Sequence, residues 1–346
     1  MKAAIIKGPH AIVLEDRPIP VPGVGEVLVR IGSVGICGSD VHGFLGLSGK
    51  RRLPGLIMGH EAAGEIIEIG AGIRDWKIGD RVSIDPQQSC GICLQCRRGW
   101  ANLCDNMSAI GSSMRNFKNG AMCEYMILIE KQLYKIPDNM SFNEGAMLDP
   151  VSNALHVLNR AQMEIGDTIA IIGTGVIGLL MVQIARLIGA GKIIAIDASE
   201  WRLNMAKDFG ADVLVDSRKL NTVDAIMAET NGRGADIVAE AVGLPITYQN
   251  AINSVKKRGK VLALGFRDPE VLIPIQSLLF REITLIGNAG FVFEIPTFIN
   301  LVSTGKIVVN PMITHEFSLD EVQQAFELLA DSSGAGSHAI KIMLKP

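Results

Sequence analysis

One short run restricts what this chain can fold into more than any other. Ile169-Ala170-Ile171-Ile172 leads into Gly173-Thr174-Gly175-Val176-Ile177-Gly178, and an apolar helical pattern follows over residues 179–187. Strand, tight glycine turn and helix, in that order, open a parallel βαβ unit that holds a dinucleotide. Gly173 permits the turn, Gly175 lets the backbone approach a pyrophosphate, and Gly178 lets helix pack on strand. The N–H groups of the helix start, at Val176 and Ile177, then face the anion. Asp197 closes the next apolar strand, where a carboxylate accepts hydrogen bonds from adenosine ribose hydroxyls and repels a 2′-phosphate. The pattern therefore predicts NAD rather than NADP, against the alternative that Asp197 only caps the following helix. Arg202, a helical turn further on, either covers the adenine face or lies exposed.

Around this fingerprint the texture is α/β. Apolar strands expected at 168–172, 192–196, 236–240, 260–264 and 283–286 alternate with helical patterns, the mark of a doubly wound parallel sheet. Residues before about 150 instead form short β-rich runs broken by Gly and Pro, such as Glu26-Val27-Leu28-Val29-Arg30-Ile31, which predict a barrel or sandwich. After Gly290 the alternation stops and the chain is expected to return to the first domain. The expected domains are 1–152 with 291–346, and 153–290, packed closely with a cleft between them.

Composition excludes several classes. A formal net charge of −3 over 346 residues gives no basic footprint for nucleic acid or anionic lipid. The opening apolar run is too short for a signal peptide, so a cytoplasmic address is expected. The uncharged stretch 168–185 approaches a bilayer span in length, but Gly173, Gly175 and Gly178 fit a strand turning into a helix better.

Cys90, Cys93, Cys96 and Cys104 stand as C-x2-C-x2-C-x7-C in a lobe spanning about 88–108. Four thiolates at that spacing close the tetrahedral shell of a structural zinc. Iron–sulfur ligation, a nucleic-acid zinc ribbon prompted by Arg97 and Arg98, and four unligated thiols are the alternatives. A second set of donors lies apart: Cys37-Gly38-Ser39-Asp40-Val41-His42, Gly59-His60-Glu61, and Asp149-Pro150. Each alone is bland, since a single Cys or His is usually a core or helix-end residue.

Taken together, in this order and spacing, these motifs resemble the zinc-dependent medium-chain dehydrogenases along essentially the whole chain. The CGSDVH form and the Asp149-Pro150 pair, where Glu-Pro is usual, are most similar to the sorbitol dehydrogenase branch of polyol and sugar-acid enzymes. The resemblance implies a GroES-like catalytic domain beside a Rossmann NAD-binding domain, and two zinc ions per subunit. It implies that Cys37 and His60 bind a catalytic zinc, with Glu61 as a third or exchangeable ligand and Asp149 ligating directly or through water. It also implies that hydride passes between a secondary alcohol and NAD by way of a zinc alkoxide, with Ser39 and His42 relaying the proton through the nicotinamide ribose. Val242, with Gly243, then Leu264, Gly265 and Phe266, and finally Asn288 and Ala289, with Gly290, follow strands where the family touches cofactor; glycine after a strand is also ordinary turn chemistry.

Polyol, sugar-acid, diol and simple-alcohol substrates all fit. Asn288-Ala289-Gly290-Phe291 stands where sorbitol dehydrogenases carry an arginine–aromatic pair, which makes sorbitol itself doubtful. Ser113, Arg115 and Phe117 lie in a segment that the family directs toward the substrate. The resemblance further implies a homodimer or homotetramer. The alternatives are a simple-alcohol or aldehyde reductase on the same scaffold, and a non-catalytic binding protein. The latter would need none of Cys37, Ser39, His42, His60 and Glu61.

Overall fold

The computed structural model describes residues 1–268, 270–331 and 335–346, with the side chains of Ala335 and Ser337 excepted. The chain divides into two compact units, Met1–Asp149 with Phe291–Pro346, and Pro150–Gly290.

In the second unit the strands Thr168–Ile172, Lys192–Asp197, Val213–Asp216, Ala235–Glu240, Val255–Ala263 and Thr284–Gly287 form one six-stranded parallel sheet. Its spatial order in sequence rank is 3-2-1-4-5-6, the doubly wound arrangement whose switch point lies beside the first strand. Ile169, Ala170, Ile171, Ile193, Ile194, Ala195, Val238 and Ala239 are fully buried, because helices cover both faces of a parallel sheet. The uncharged stretch is thus strand Thr168–Ile172 followed by helix Val176–Ile188, ended by Gly189 in the left-handed region at φ 104°. Among the described residues no helix is long and apolar enough to cross a membrane.

The first unit is built on a seven-stranded sheet. Its centre is the long strand Glu26–Gly35, which pairs antiparallel with Glu61–Ile69 along its length, with Tyr125–Ile129 over its first half, and with Lys341–Lys345 at its far end. The register sets Gly35 opposite both Glu61 and Met343. The end of one strand, the start of a second and the middle of a third therefore meet at one place. Ile5, Val29, Ile31, Val34, Leu56, Met58, Ile66 and Phe326 form the core beneath it.

Candidate metal centres and dinucleotide site

Cys37 directly follows the central strand and is the N-cap residue of helix Gly38–Phe44. His60 and Glu61 arrive at the start of the neighbouring strand. Ligand atoms of Cys37, His60 and Glu61 lie within 4.8 Å of one another. Gly35 makes room for this: a Cβ there would sit 2.5 Å from Glu61 Oε2. Residues 36 and 37 then carry the chain past the carboxylate.

The group is backed by buried charge. Glu61 Oε2 accepts a hydrogen bond from Lys341 Nζ at 2.5 Å, and the two side chains are 2% and 3% exposed. Lys341 also donates to the carbonyl of Ile36. Burial opposes its charge, but Glu61 and Cys37 hold its pKa above the ordinary lysine value. On the other side Asp40 is fully buried, with Oδ1 3.5 Å from His60 Nδ1 and Oδ2 accepting the Cys37 backbone N–H at 3.2 Å. Burial works against Asp40, yet His60 and Arg52 hold its carboxyl far below the usual range. Burial likewise opposes protonation of His60, but Asp40 and Cys37 raise its pKa well above the ordinary value.

A thiol, an imidazole and a carboxylate with donor atoms within 4.8 Å of one another fit a zinc ion with one position open. Asp149, in the first turn of helix Leu148–Ala161, is drawn into the same electrostatics. Burial raises its pKa to about 6, with His60 and Lys341 pulling down and Glu61 pushing up. It lies outside the trio that converges within 4.8 Å. Ser39 and His42 are both half-buried on helix Gly38–Phe44, three residues apart and so on one face.

The four cysteines gather in the lobe expected for them. Cys90 Sγ and Cys93 Sγ lie 3.5 and 3.9 Å from Cys104 Sγ. Four sulfurs about 2.3 Å from a single zinc would be separated by about 3.8 Å, close to these two distances, and all four here lie within 4.8 Å of one another, so the set suits one tetrahedral ion. Backbone N–H groups of Cys90 and Asn106 point at Cys104 Sγ, and that of Cys96 at Cys93 Sγ. N–H groups of Ile92 and Cys93 pull the Cys90 thiol down to about 6. The shell has no vacancy for substrate.

The glycine turn of the second unit is closely packed at one glycine and open at another. A Cβ on Gly178 would lie 1.9 Å from the Gly173 carbonyl oxygen, whereas one on Gly175 would meet nothing within 4 Å. That open space lies at the start of helix Val176–Ile188, where unpaired backbone N–H groups suit an anion. Asp197 closes its strand but does not cap the next helix; Ser199 does. Asp197 Oδ2 instead accepts the Thr174 backbone N–H at 2.7 Å and its hydroxyl at 3.0 Å, while Oδ1 accepts the Ser199 N–H at 2.9 Å. The acid is thereby locked to the glycine turn. Arg202 is half-buried in the first turn of helix Glu200–Asp208.

Beyond the strand ends, Glu240 Oε1 accepts the Val242 and Gly243 N–H groups, and its carbonyl accepts those of Leu264 and Gly265. The two expected cofactor segments are thus tied together, with Phe266 59% exposed beside them. Asn288 Oδ1 is buried with no hydrogen-bond partner, and Ala289 adjoins it. Ser113 does not present a free hydroxyl: it accepts the Leu53 N–H and donates to the Lys50 carbonyl, tying two loops together. Arg115 and Phe117 are exposed, whereas Phe291 is buried in the first unit. Sequence reasoning missed Asp40, Arg52 and Lys341. Only Asp40, three residues after Cys37 as an N-cap partner, carried a local signal.

Comparison with known proteins agrees with this geometry. Residues 23–138 match the model of the alcohol dehydrogenase GroES-like domain, and residues 176–304 match that of the zinc-binding dehydrogenases. Sorbitol dehydrogenase of Bacillus subtilis (strain 168) is 32% identical over 349 residues, covering 100% of this chain and 97% of the other. L-idonate 5-dehydrogenase of Vitis vinifera is 34% identical, covering 99% and 93%. Among solved structures, a zinc-binding dehydrogenase of Sinorhizobium meliloti 1021 bound to NADP is 33% identical, with a TM-score of 0.91 over 100% of this chain and 99% of that one.

Proposed function

The chain belongs to the zinc-dependent medium-chain dehydrogenases, in the branch that includes sorbitol dehydrogenase, and from that premise we propose how its own residues divide the work. It is an oxidoreductase of CH–OH groups that uses zinc and NAD, acting on a secondary alcohol of a polyol, sugar acid or diol. The convergence of Cys37, His60 and Glu61 within 4.8 Å carries this reading.

Once bound, zinc supplies Lewis-acid polarisation of the substrate oxygen and NAD supplies the hydride acceptor. Cys37, His60 and Glu61 hold the metal, with Asp149 as a further ligand, direct or through water. Ser39 Oγ takes the proton of the substrate hydroxyl and His42 carries it toward solvent. Gly173, Gly175 and Gly178, with the N–H groups of Val176 and Ile177, cradle the diphosphate. Asp197 keeps unused acceptor capacity for ribose hydroxyls, because the three hydrogen bonds it accepts leave part of a carboxylate's roughly four lone-pair sites free. Arg202 covers the adenine; Val242, Leu264, Gly265, Phe266, Asn288 and Ala289 border the nicotinamide half. Cys90, Cys93, Cys96 and Cys104 hold a structural zinc.

The test is NAD reduction over a panel of polyols, sugar acids, diols and simple alcohols, with zinc-loaded protein beside a chelated control. Chelator-sensitive turnover confined to one hydroxyl-rich class is expected. Preference for unsubstituted chains, or turnover indifferent to the metal, would overturn the reading. NADP matching NAD in kcat/KM would overturn the role given to Asp197.

The assembly we infer is a homodimer or a higher homo-oligomer. Strand Thr284–Gly287 is an edge of its sheet, and the preceding helix Ile275–Arg281 exposes Ile275, Leu279 and Phe280 at 61%, 65% and 81%. Such an apolar patch beside an open sheet edge asks for a partner. Light scattering should show Phe280→Glu shifting the protein toward monomer. A reducing, cytoplasmic setting suits metal-binding thiols that form no disulfide.

A further inference from the structure

Behind the trio of donors sits a contact that the chemistry above does not use. Asp40 Oδ1, which faces His60 Nδ1, also accepts two hydrogen bonds from Arg52, one from Nε at 3.2 Å and one from Nη2 at 2.9 Å. Arg52 Nη2 additionally lies 3.4 Å from Ser39 Oγ. The arginine side chain is only 7% exposed. One carboxylate thereby touches the backbone of Cys37 and the ring of His60, and one guanidinium pins that carboxylate and reaches the hydroxyl beside it.

The helix has made a place for this arginine. A Cβ on Gly43 would stand 2.5 Å from Arg52 Cγ and 2.9 Å from its Cβ. Those atoms are the stem of the side chain, which cannot swing aside as its tip can. A glycine inside a helix costs roughly 0.5–1 kcal/mol relative to alanine. At Gly43 that cost is offset by the notch that admits Arg52.

We propose that Arg52 is a positioning residue of the metal site, seated in the Gly43 notch. It fixes Asp40 so that Asp40 in turn fixes the His60 ring and the Cys37 backbone, and it occupies an acceptor site of Ser39 Oγ so that the hydroxyl hydrogen is free to be donated elsewhere. The proposal rests on the reading that Cys37, His60 and Glu61 hold a metal. Lysine cannot replace the arginine fully, because a single ammonium lacks the planar fork that sends two N–H groups to one oxygen.

The test uses the full chain with zinc in the four-cysteine site and cobalt(II) titrated into the other. Cobalt affinity is read by competition with a chromophoric chelator, and geometry by the visible ligand-field bands. Arg52→Met should weaken cobalt binding by about 10–100-fold, the usual effect of removing a partner behind a ligand, and should shift the bands. Arg52→Lys should fall between wild type and Arg52→Met. Gly43→Ala should reproduce the defect while every ligand and Arg52 itself remain. Arg51→Met, which removes an exposed charge from the same loop, should behave as wild type. Zinc retained by the four cysteines reports that each variant has folded. Wild-type affinity and bands in both Arg52→Met and Gly43→Ala would overturn the proposal. Wild-type protein that takes up no cobalt outside the four cysteines would instead overturn the metal-site reading on which it rests.

Discussion

The two metal centres solve one coordination problem in opposite ways. The four sulfurs come from a single loop segment, residues 90–104, and their shell is completed by backbone N–H groups. The other centre draws Cys37, His60 and Glu61 from two strand ends and surrounds them with buried charges, Asp40 and Arg52 on one side and Lys341 on the other. A loop can close on an ion using only local geometry. A centre that leaves a position open must hold its donors rigid from outside, and only the tertiary fold supplies that rigidity.

The contrast can be broken at the ligands themselves. Cys37→Ser or His60→Ala should lower kcat/KM by about 10³-fold or more, since metal polarisation is worth several kcal/mol of barrier. Cys93→Ser should act otherwise, with proteolysis opening the 88–108 lobe and the open site keeping its metal. Metal analysis during mild chelation should find activity lost with the first equivalent and the four-cysteine ion retained. Equal loss from both sites would erase the distinction.

The next effect concerns the charges that only the open centre requires. In the metal-free protein Lys341→Met leaves Glu61 buried and unpaired, and removing one partner of such a pair costs about 3–5 kcal/mol, which should lower its unfolding midpoint by about 10 °C. The double variant with Glu61→Gln should recover most of that loss in a thermal melt. Failure to recover would mean that packing of the lysine stem, and not its charge, is what matters.

Protons should also report metal uptake at the open site. His60 in the metal-free protein binds its proton well above the ordinary range, and an imidazolium cannot ligate. Uptake of one zinc at the open site near pH 7 should therefore release at least one proton, and affinity there should fall as pH is lowered. Titration in a weakly buffered indicator dye measures this directly.

The smallest effect lies at Asp85, which is close in sequence to the cysteine lobe and is felt electrostatically by Asp149. Burial raises its pKa to about 6, so the folded protein binds this proton more tightly than the unfolded chain. The stability contributed by that proton is present below about pH 4 and is lost as pH rises through about 6. Asp85→Asn should accordingly gain about 1–3 kcal/mol at pH 7 and nothing below about pH 4, as denaturant melts at the two pH values would report.

How legible each region was follows from the same contrast. The glycine turn and the four cysteines could be read from the chain because their partners are neighbours in sequence. The trio at the open site became legible through family resemblance, since no spacing rule links Cys37 to His60. Lys341 gave no signal: it reaches Glu61 across 280 residues, and a lone lysine opening a short strand looks like any surface lysine. Arg52 stands in the sequence as one of an adjacent Arg51-Arg52 pair with nothing to mark it for burial, and the notch at Gly43 exists only once the helix is folded. Strand Val213–Asp216 was missed because it is four residues long and mostly half-buried. Strand Val255–Ala263 begins earlier than its apolar core suggests, because Lys256, Lys257 and Arg258 mask its start.

The division of the chain also has a temporal meaning. The dinucleotide unit is one continuous stretch, Pro150–Gly290, while the metal unit is interrupted by it and resumes at Phe291. As the ribosome advances, the continuous unit has all of its strands available while the metal unit still lacks the one that carries Lys341. The four-cysteine loop can capture its ion early, from residues that emerge together. The reactive centre becomes charge-balanced only when strand Lys341–Lys345 docks on Glu26–Gly35. Synthesis order thus makes the four cysteines available first and the lysine that balances Glu61 last.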